Sequence, residues 1–167
     1  MAKNDLVSIV LKDIKQAEKQ LAKEVAPEIN KLFKESVGYA LIDWYNSYDP
    51  KMYKRTNNFM TVAQTAKTIG SGNYLAMTVD SSLMNDYEGF AIKPYSTYEK
   101  QTLYADTAFD FFFNQGKHGH GRWMMKQSTP PFWYIDRDIQ DGFGGRAQKE
   151  INKKFGELLR RYSWWLE

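Results

Sequence analysis

Apolar residues recur every three or four positions through the start of the chain, as Val7, Val10, Ile14, Ala17, Leu21, Val25, Ile29, Leu32, Phe33, Val37, Leu41, Trp44 and Tyr45. That spacing returns side chains to one face of a 3.6-residue helix, so the protein is expected to begin with a long amphipathic helix. Unbroken over residues 5 to 47, it would be about 65 Å long at about 1.5 Å per residue, more than a domain of this size covers with its own core. Part of it is therefore expected to pack on a neighbouring subunit. The alternative is a helical hairpin folding back on itself. Pro27 interrupts the pattern. Its ring removes a backbone donor and clashes with the carbonyl four residues earlier, which predicts a kink or a break near Glu24 to Pro27.

Tyr48 to Phe59 reads as the hinge, because Asp49-Pro50 turns the chain between helical periodicity and the first strand. Asn57 to Thr68 is read as a strand or an irregular link. After Gly70-Ser71-Gly72, the run Tyr74 to Val79 alternates with period two and is expected to place Leu75, Met77 and Val79 on one face of a strand. Met84 to Ser96 has the composition of a long surface loop, with one short strand conceivable at Gly89 to Lys93. Thr102 to Asn114 is read as a helix with an aromatic face, closed by Gly116. Phe109, Phe111, Phe112 and Phe113 are too crowded to share one core, so at least one is expected at a second interface. A turn over Gly116 to Gly121 follows, and Pro130-Pro131 is read as a stiff extended connector. The last helix begins after the glycines at 142, 144 and 145. It repeats Ala147, Ile151, Phe155, Leu158, Leu159, Tyr162 and Trp165 at helical spacing.

At 167 residues the chain suits one domain, and 43% hydrophobic residues supply its core. No run approaches the roughly 18 apolar residues of a membrane helix, and the first residues are charged rather than signal-like, so no membrane involvement is expected and the chain is expected to stay in the cytoplasm of the cell that makes it. The absence of cysteine excludes disulfides and thiolate chemistry. A net charge of +3 is mild, but it is unevenly spread. Residues 80 to 110 carry six acids against two lysines, and residues 146 to 161 carry six basic residues against two glutamates. An acidic middle and a basic end suit head-to-tail contacts between identical subunits.

Tyr48, Pro50, Tyr53, Arg55, Thr56 and Phe59 fit a Y-x-P-x-x-Y-x-R-T-x-x-hydrophobic pattern. Phe109 to Gly119 runs an aromatic segment into Gly116-Lys117-His118-Gly119, and Ser128-Thr129-Pro130-Pro131 follows before the last helix. In that order these blocks resemble the small neck and tail-completion proteins of tailed bacteriophages. The resemblance implies structural turns at Tyr48 to Thr56 and at Gly116, His118 and Gly119. Arg55 would be an organising residue paired with an acid such as Asp43 or Asp49. Asn114-Gln115 departs from the family pattern, which often has an acid before the glycine.

His118-Gly119-His120 is the only histidine pair, in a glycine-rich turn that makes a poor rigid metal scaffold. Asp86-x-Glu88 with Lys93 only loosely matches a metal-dependent nuclease set. Gly142 to Arg146 lacks the lysine and hydroxyl of a phosphate loop. Lys51, Lys54, Arg55 and Lys67, interleaved with Tyr53 and Phe59, form the best nucleic-acid patch.

The fold expected is α+β, with a long N-terminal helix, a small antiparallel sheet, a central aromatic helix and a C-terminal amphipathic helix. The resemblance implies a virion protein of the neck, without cofactor, metal or catalytic residues. It would form a homo-oligomeric ring of six or twelve subunits, bound to portal-connector and tail proteins and touching passing DNA at most nonspecifically. Interfaces are expected from the N-terminal helix, from the acidic loop Asp80 to Glu99 with Asp86 and Glu88 as candidate residues, and from Lys149, Lys153, Lys154, Arg160 and Arg161 on the last helix. The alternatives are a small nucleic-acid-binding protein using residues 51 to 67 with the last helix, or a metal-dependent hydrolase.

Overall fold

A computed structural model gives the fold and describes residues 3–47, 57–90, 101–118 and 126–162. Its spine is α1, Lys3–Asn46, a single helix of 44 residues and about 66 Å. The helix neither breaks at Pro27 nor folds back as a hairpin. Pro27 is exposed, whereas Val25, Ala26 and Ile29 beside it are buried. A proline in a helix interior costs roughly 3 kcal/mol, and burial of one large aliphatic side chain returns about 1.5–3 kcal/mol. Packing on both sides of the proline therefore outweighs the lost hydrogen bond.

Asn57, in the left-handed region with φ 57°, starts a short 3₁₀ turn over Asn58–Thr61 that runs into α2, Val62–Thr65. The link between hinge and sheet is thus helical rather than a strand. β1, Lys67–Ser71, and β2, Tyr74–Thr78, then form an antiparallel hairpin in which Ile69 faces Ala76. Gly72 turns the chain with φ 58°. Leu75, Met77 and Val79 point to the core, as their alternation predicts. β1 lies directly on α1. The Thr68 amide donates to Asn30 Oδ1 at 2.8 Å, and a Cβ on Gly70 would sit 1.9 Å from the Ala22 carbonyl oxygen. Only glycine fits there.

β3, Tyr87–Phe90, pairs antiparallel with β4, Gln101–Leu103. Thr102 and Leu103 are therefore in a strand, not in the helix that their spacing predicts. The helix α3 starts later, at Ala105, and reaches only Phe109 before the turn widens into a π segment over Asp110–Asn114. The Gln115 amide donates to the Asp110 carbonyl at 3.1 Å, five residues back, and the Asp110 carboxylate accepts from Asn114 Nδ2 at 2.9 Å and Gln115 Nε2 at 2.5 Å. Widening this turn changes where the four phenylalanines point. Phe112 and Phe113 are buried, Phe109 stacks on Phe113 at 4.8 Å, and Phe111 packs at the cluster edge beneath Lys117 Nζ, 5.0 Å from the ring centroid. All four serve one core, so the crowding does not require a second interface.

Gly116, with φ 63°, ends this segment against the Ser128 carbonyl, and β5, Lys117–His118, pairs with β6, Lys126–Gln127. Pro130-Pro131 is not a connector. Pro130 is extended and Pro131 opens a helix, α4, Pro131–Gln140, at the first-turn position where a missing amide costs nothing. Gly142, Phe143, Gly144 and Gly145 all have positive φ and lead into α5, Arg146–Tyr162. Phe143 holds that conformation because its ring is buried.

The core runs along the second half of α1. Trp44 meets Phe59 edge-on at 4.9 Å and Phe112 at 5.3 Å, with Leu41, Val62, Leu103 and Ile135 around them. α5 lies antiparallel on α1, with Arg146 beside Glu35 and Arg161 beside Glu24. α4 is fixed by the buried Ser36 hydroxyl donating to Asp138 Oδ2 at 2.7 Å.

Candidate functional site: assembly surfaces

The seam Val7, Val10, Ile14, Ala17 and Leu21 steps by three and four, the spacing by which one helix seats against another. Its fate changes along its length. Ala17 is completely buried and Leu21 half-buried, but Val7 is 55%, Val10 36% and Leu11 52% exposed. Where this seam meets the hairpin tip lies a cleft of about 400 Å³, lined by Glu18, Leu21, Ala22, Val25, Asn73, Leu75 and Ile151. A second, of about 310 Å³, adjoins it between Lys15, Glu18, Lys19, Gly72 and Asn73. The same face of α1 is thus core in the body and open surface at the start.

The hinge residues Tyr48, Pro50, Lys51, Tyr53, Lys54, Arg55 and Thr56 lie outside the described residues, as do Gly119 and His120. What flanks the hinge is firmly held. Phe59 is fully buried, and Asn58 bonds Asn85 twice, through Nδ2 to the carbonyl at 2.7 Å and through Oδ1 from the amide at 2.9 Å. Of the nucleic-acid patch, Phe59 is in the core and Lys67 is exposed. Of the histidine pair, only the His118 backbone is described, paired with Lys126.

The acidic loop is tied inward by neutral donors. Asp86 Oδ1 accepts from the Ala105 amide at 2.8 Å, where α3 starts. The Ser81 hydroxyl donates to Asp106, and the Ser82 hydroxyl and amide both donate to Asp80. These bonds, the hydroxyl's above all, hold the Asp80 carboxyl below the usual range. The Glu88 side chain is outside the described residues. Among the described residues, no group of three His, Cys, Asp or Glu side chains gathers for a metal ion. Around Gly142 to Arg146, the amides of Phe143, Gly145, Arg146 and Ala147 are all taken by main-chain carbonyls instead of facing outward toward a phosphate.

The basic residues of α5 divide into two sets. Arg146 pairs Glu35 at 2.9 Å, Lys154 pairs Glu157 at 2.9 Å and Arg161 pairs Glu24 at 3.3 Å. The Lys154–Glu157 bond raises the lysine's pKa and lowers the glutamate's. Lys154 and Arg161, expected at an interface, are therefore engaged within the chain. Lys149, Lys153 and Arg160 are exposed and make no ion pair with a described residue. Sequence reasoning could not separate out the two arginines, because Glu24 and Glu35 lie 137 and 111 positions from them, whereas Glu157, three residues from Lys154, was a partner the sequence offered.

Among the described residues, no helix is long and apolar enough to cross a membrane. No curated protein and no solved structure matches the chain. The model of one family matches residues 3–161, from the first turn of α1 to the last turn of α5: the chain belongs to the YomN family, whose phage-associated name points to a phage protein.

Proposed function

We propose that this protein is a structural virion component of a tailed bacteriophage, a ring-forming neck or tail-completion subunit joining the portal and connector to the tail. Its mechanism is assembly rather than turnover. The observation that carries this reading is the open start of α1, where Val7, Val10 and Leu11 continue a core seam beyond the body that covers it. A helix of about 66 Å on a chain of 167 residues is built to reach a neighbour. Membership of a phage-associated family and the Tyr48 to Phe59 pattern support the same reading. The partners would be further copies of the chain and the adjoining portal-connector and tail proteins. The ring would have six or twelve subunits, with nonspecific contact at most to DNA passing through it.

Peptide mass spectrometry of purified particles, with copies counted against the major capsid protein, tests the proposal. The expected result is about six or twelve copies per particle, the number a closed ring supplies. Absence of the chain from particles whose other neck proteins are detected would remove it.

A further inference from the structure

We infer that the outer side of α5 is a docking surface for a second copy of this chain, which presents to it the acidic knot at the start of α3. The inference deepens the assembly reading and rests on it. Lys149, Lys153, Gly156 and Arg160 follow one another at i, i+4, i+7 and i+11, so they form a line of about 16 Å along one side of the helix. The three cations of this line are those of α5 that make no ion pair with a described residue, although Lys153 and Arg160 stand near enough to Glu157, and Lys153 to Glu28, to help lower those carboxyls. Gly156 stands between them, and a Cβ added there meets nothing within 4 Å. A glycine inside a helix is unfavourable relative to alanine, and no close packing against a described residue accounts for this one. It leaves a notch in a row of positive charge, through which another chain can approach the backbone.

The acidic knot has the complementary form. Asp80, Asp86 and Asp106 each accept from a neutral donor, Ser82, the Ala105 amide and Ser81 respectively, which ties the acidic segment to the start of α3. Every one of these donors is neutral, and none of the three carboxylates pairs with a described cation. Beside them in the chain, Leu83 is 50% and Tyr104 66% exposed. Exposed apolar side chains interspersed with carboxylates complement a row of cations broken by a notch. Because the two surfaces differ, the contact is head to tail, and successive copies close into a ring when the rotation between them permits.

Sedimentation velocity of the full chain over a range of concentration and salt provides the test. The wild type should self-associate, less so as salt rises. Replacing Lys149, Lys153 and Arg160 together by glutamate should weaken association by about tenfold or more, as like charges then face each other. Gly156→Leu should fold with an unchanged or higher Tm and yet associate poorly. A copy carrying Leu83→Lys and Asp106→Lys should fail to self-associate but should bind the glutamate variant. A wild type that stays monomeric, or glutamate and Gly156→Leu variants that associate normally, would overturn the inference. Retardation of duplex DNA by a monomeric wild type, lost in the glutamate variant, would overturn it in favour of a phosphate partner. Failure here, with ring-number copies still found in particles, leaves the neck reading standing and removes only this pair of surfaces.

Discussion

The two halves of α1 carry the same apolar seam and meet opposite fates. From Val25 to Trp44 the seam is sealed by α4, α5, the β1–β2 hairpin and the Phe59–Phe112–Phe113 cluster, whereas from Val7 to Leu11 it faces solvent. Helical spacing alone records only that a face is apolar. Whether that face is core or contact surface depends on how far the rest of the chain reaches.

The contrast breaks most strongly in the sealed half. Phe59 is fully buried and packs with four aromatic rings, so Phe59→Ala should lower unfolding free energy by about 3–5 kcal/mol, measured by urea denaturation. Where the hairpin crosses α1, Gly70→Ala should push β1 off the Ala22 backbone, because no side chain can yield there. An expected loss of about 1–3 kcal/mol, with increased amide exchange in Thr68 and Ile69, would locate the contact. In the open half, Leu11→Asp should change the stability of the free chain by less than about 0.5 kcal/mol while removing the protein from particles. A large loss of stability there would show that the seam is covered within one chain.

The smallest effect concerns the acidic knot. Ser82 holds the Asp80 pKa down in the folded protein, so the stability it supplies is present above the unfolded carboxyl pKa and is lost as pH falls through the folded one. Ser82→Ala should raise the Asp80 pKa in an NMR titration. It should also reduce stability slightly at neutral pH, and the difference should vanish in acid.

The two long helices were legible because Val25, Ile29 and Leu32 in α1, and Ala147, Ile151 and Leu158 in α5, recur at a period that survives any local accident. The alternation of Leu75, Met77 and Val79 likewise announced β2. Where the fold departs from the local pattern, tertiary packing or position overrides local chemistry. Pro27 does not end α1, since its neighbours are buried. Pro131 begins α4 instead of linking elements, since a first-turn proline has no hydrogen bond to lose. Leu103 fits the helical spacing of the phenylalanines but is held in β4 by Tyr87. At the candidate site, the basic character of α5 is plain in the sequence and Glu157 is a local partner for Lys154, whereas the pairing of Arg146 and Arg161 depends on glutamates more than a hundred positions away.

Amide hydrogen exchange along α1, compared between the free chain and purified particles, bears most directly on the claim that one seam serves both core and assembly. Residues 25 to 44 should be protected in both states, and residues 3 to 16 should exchange quickly in the free chain and become protected in the particle. Residues 3 to 16 that exchange as quickly in particles as in the free chain would contradict the account.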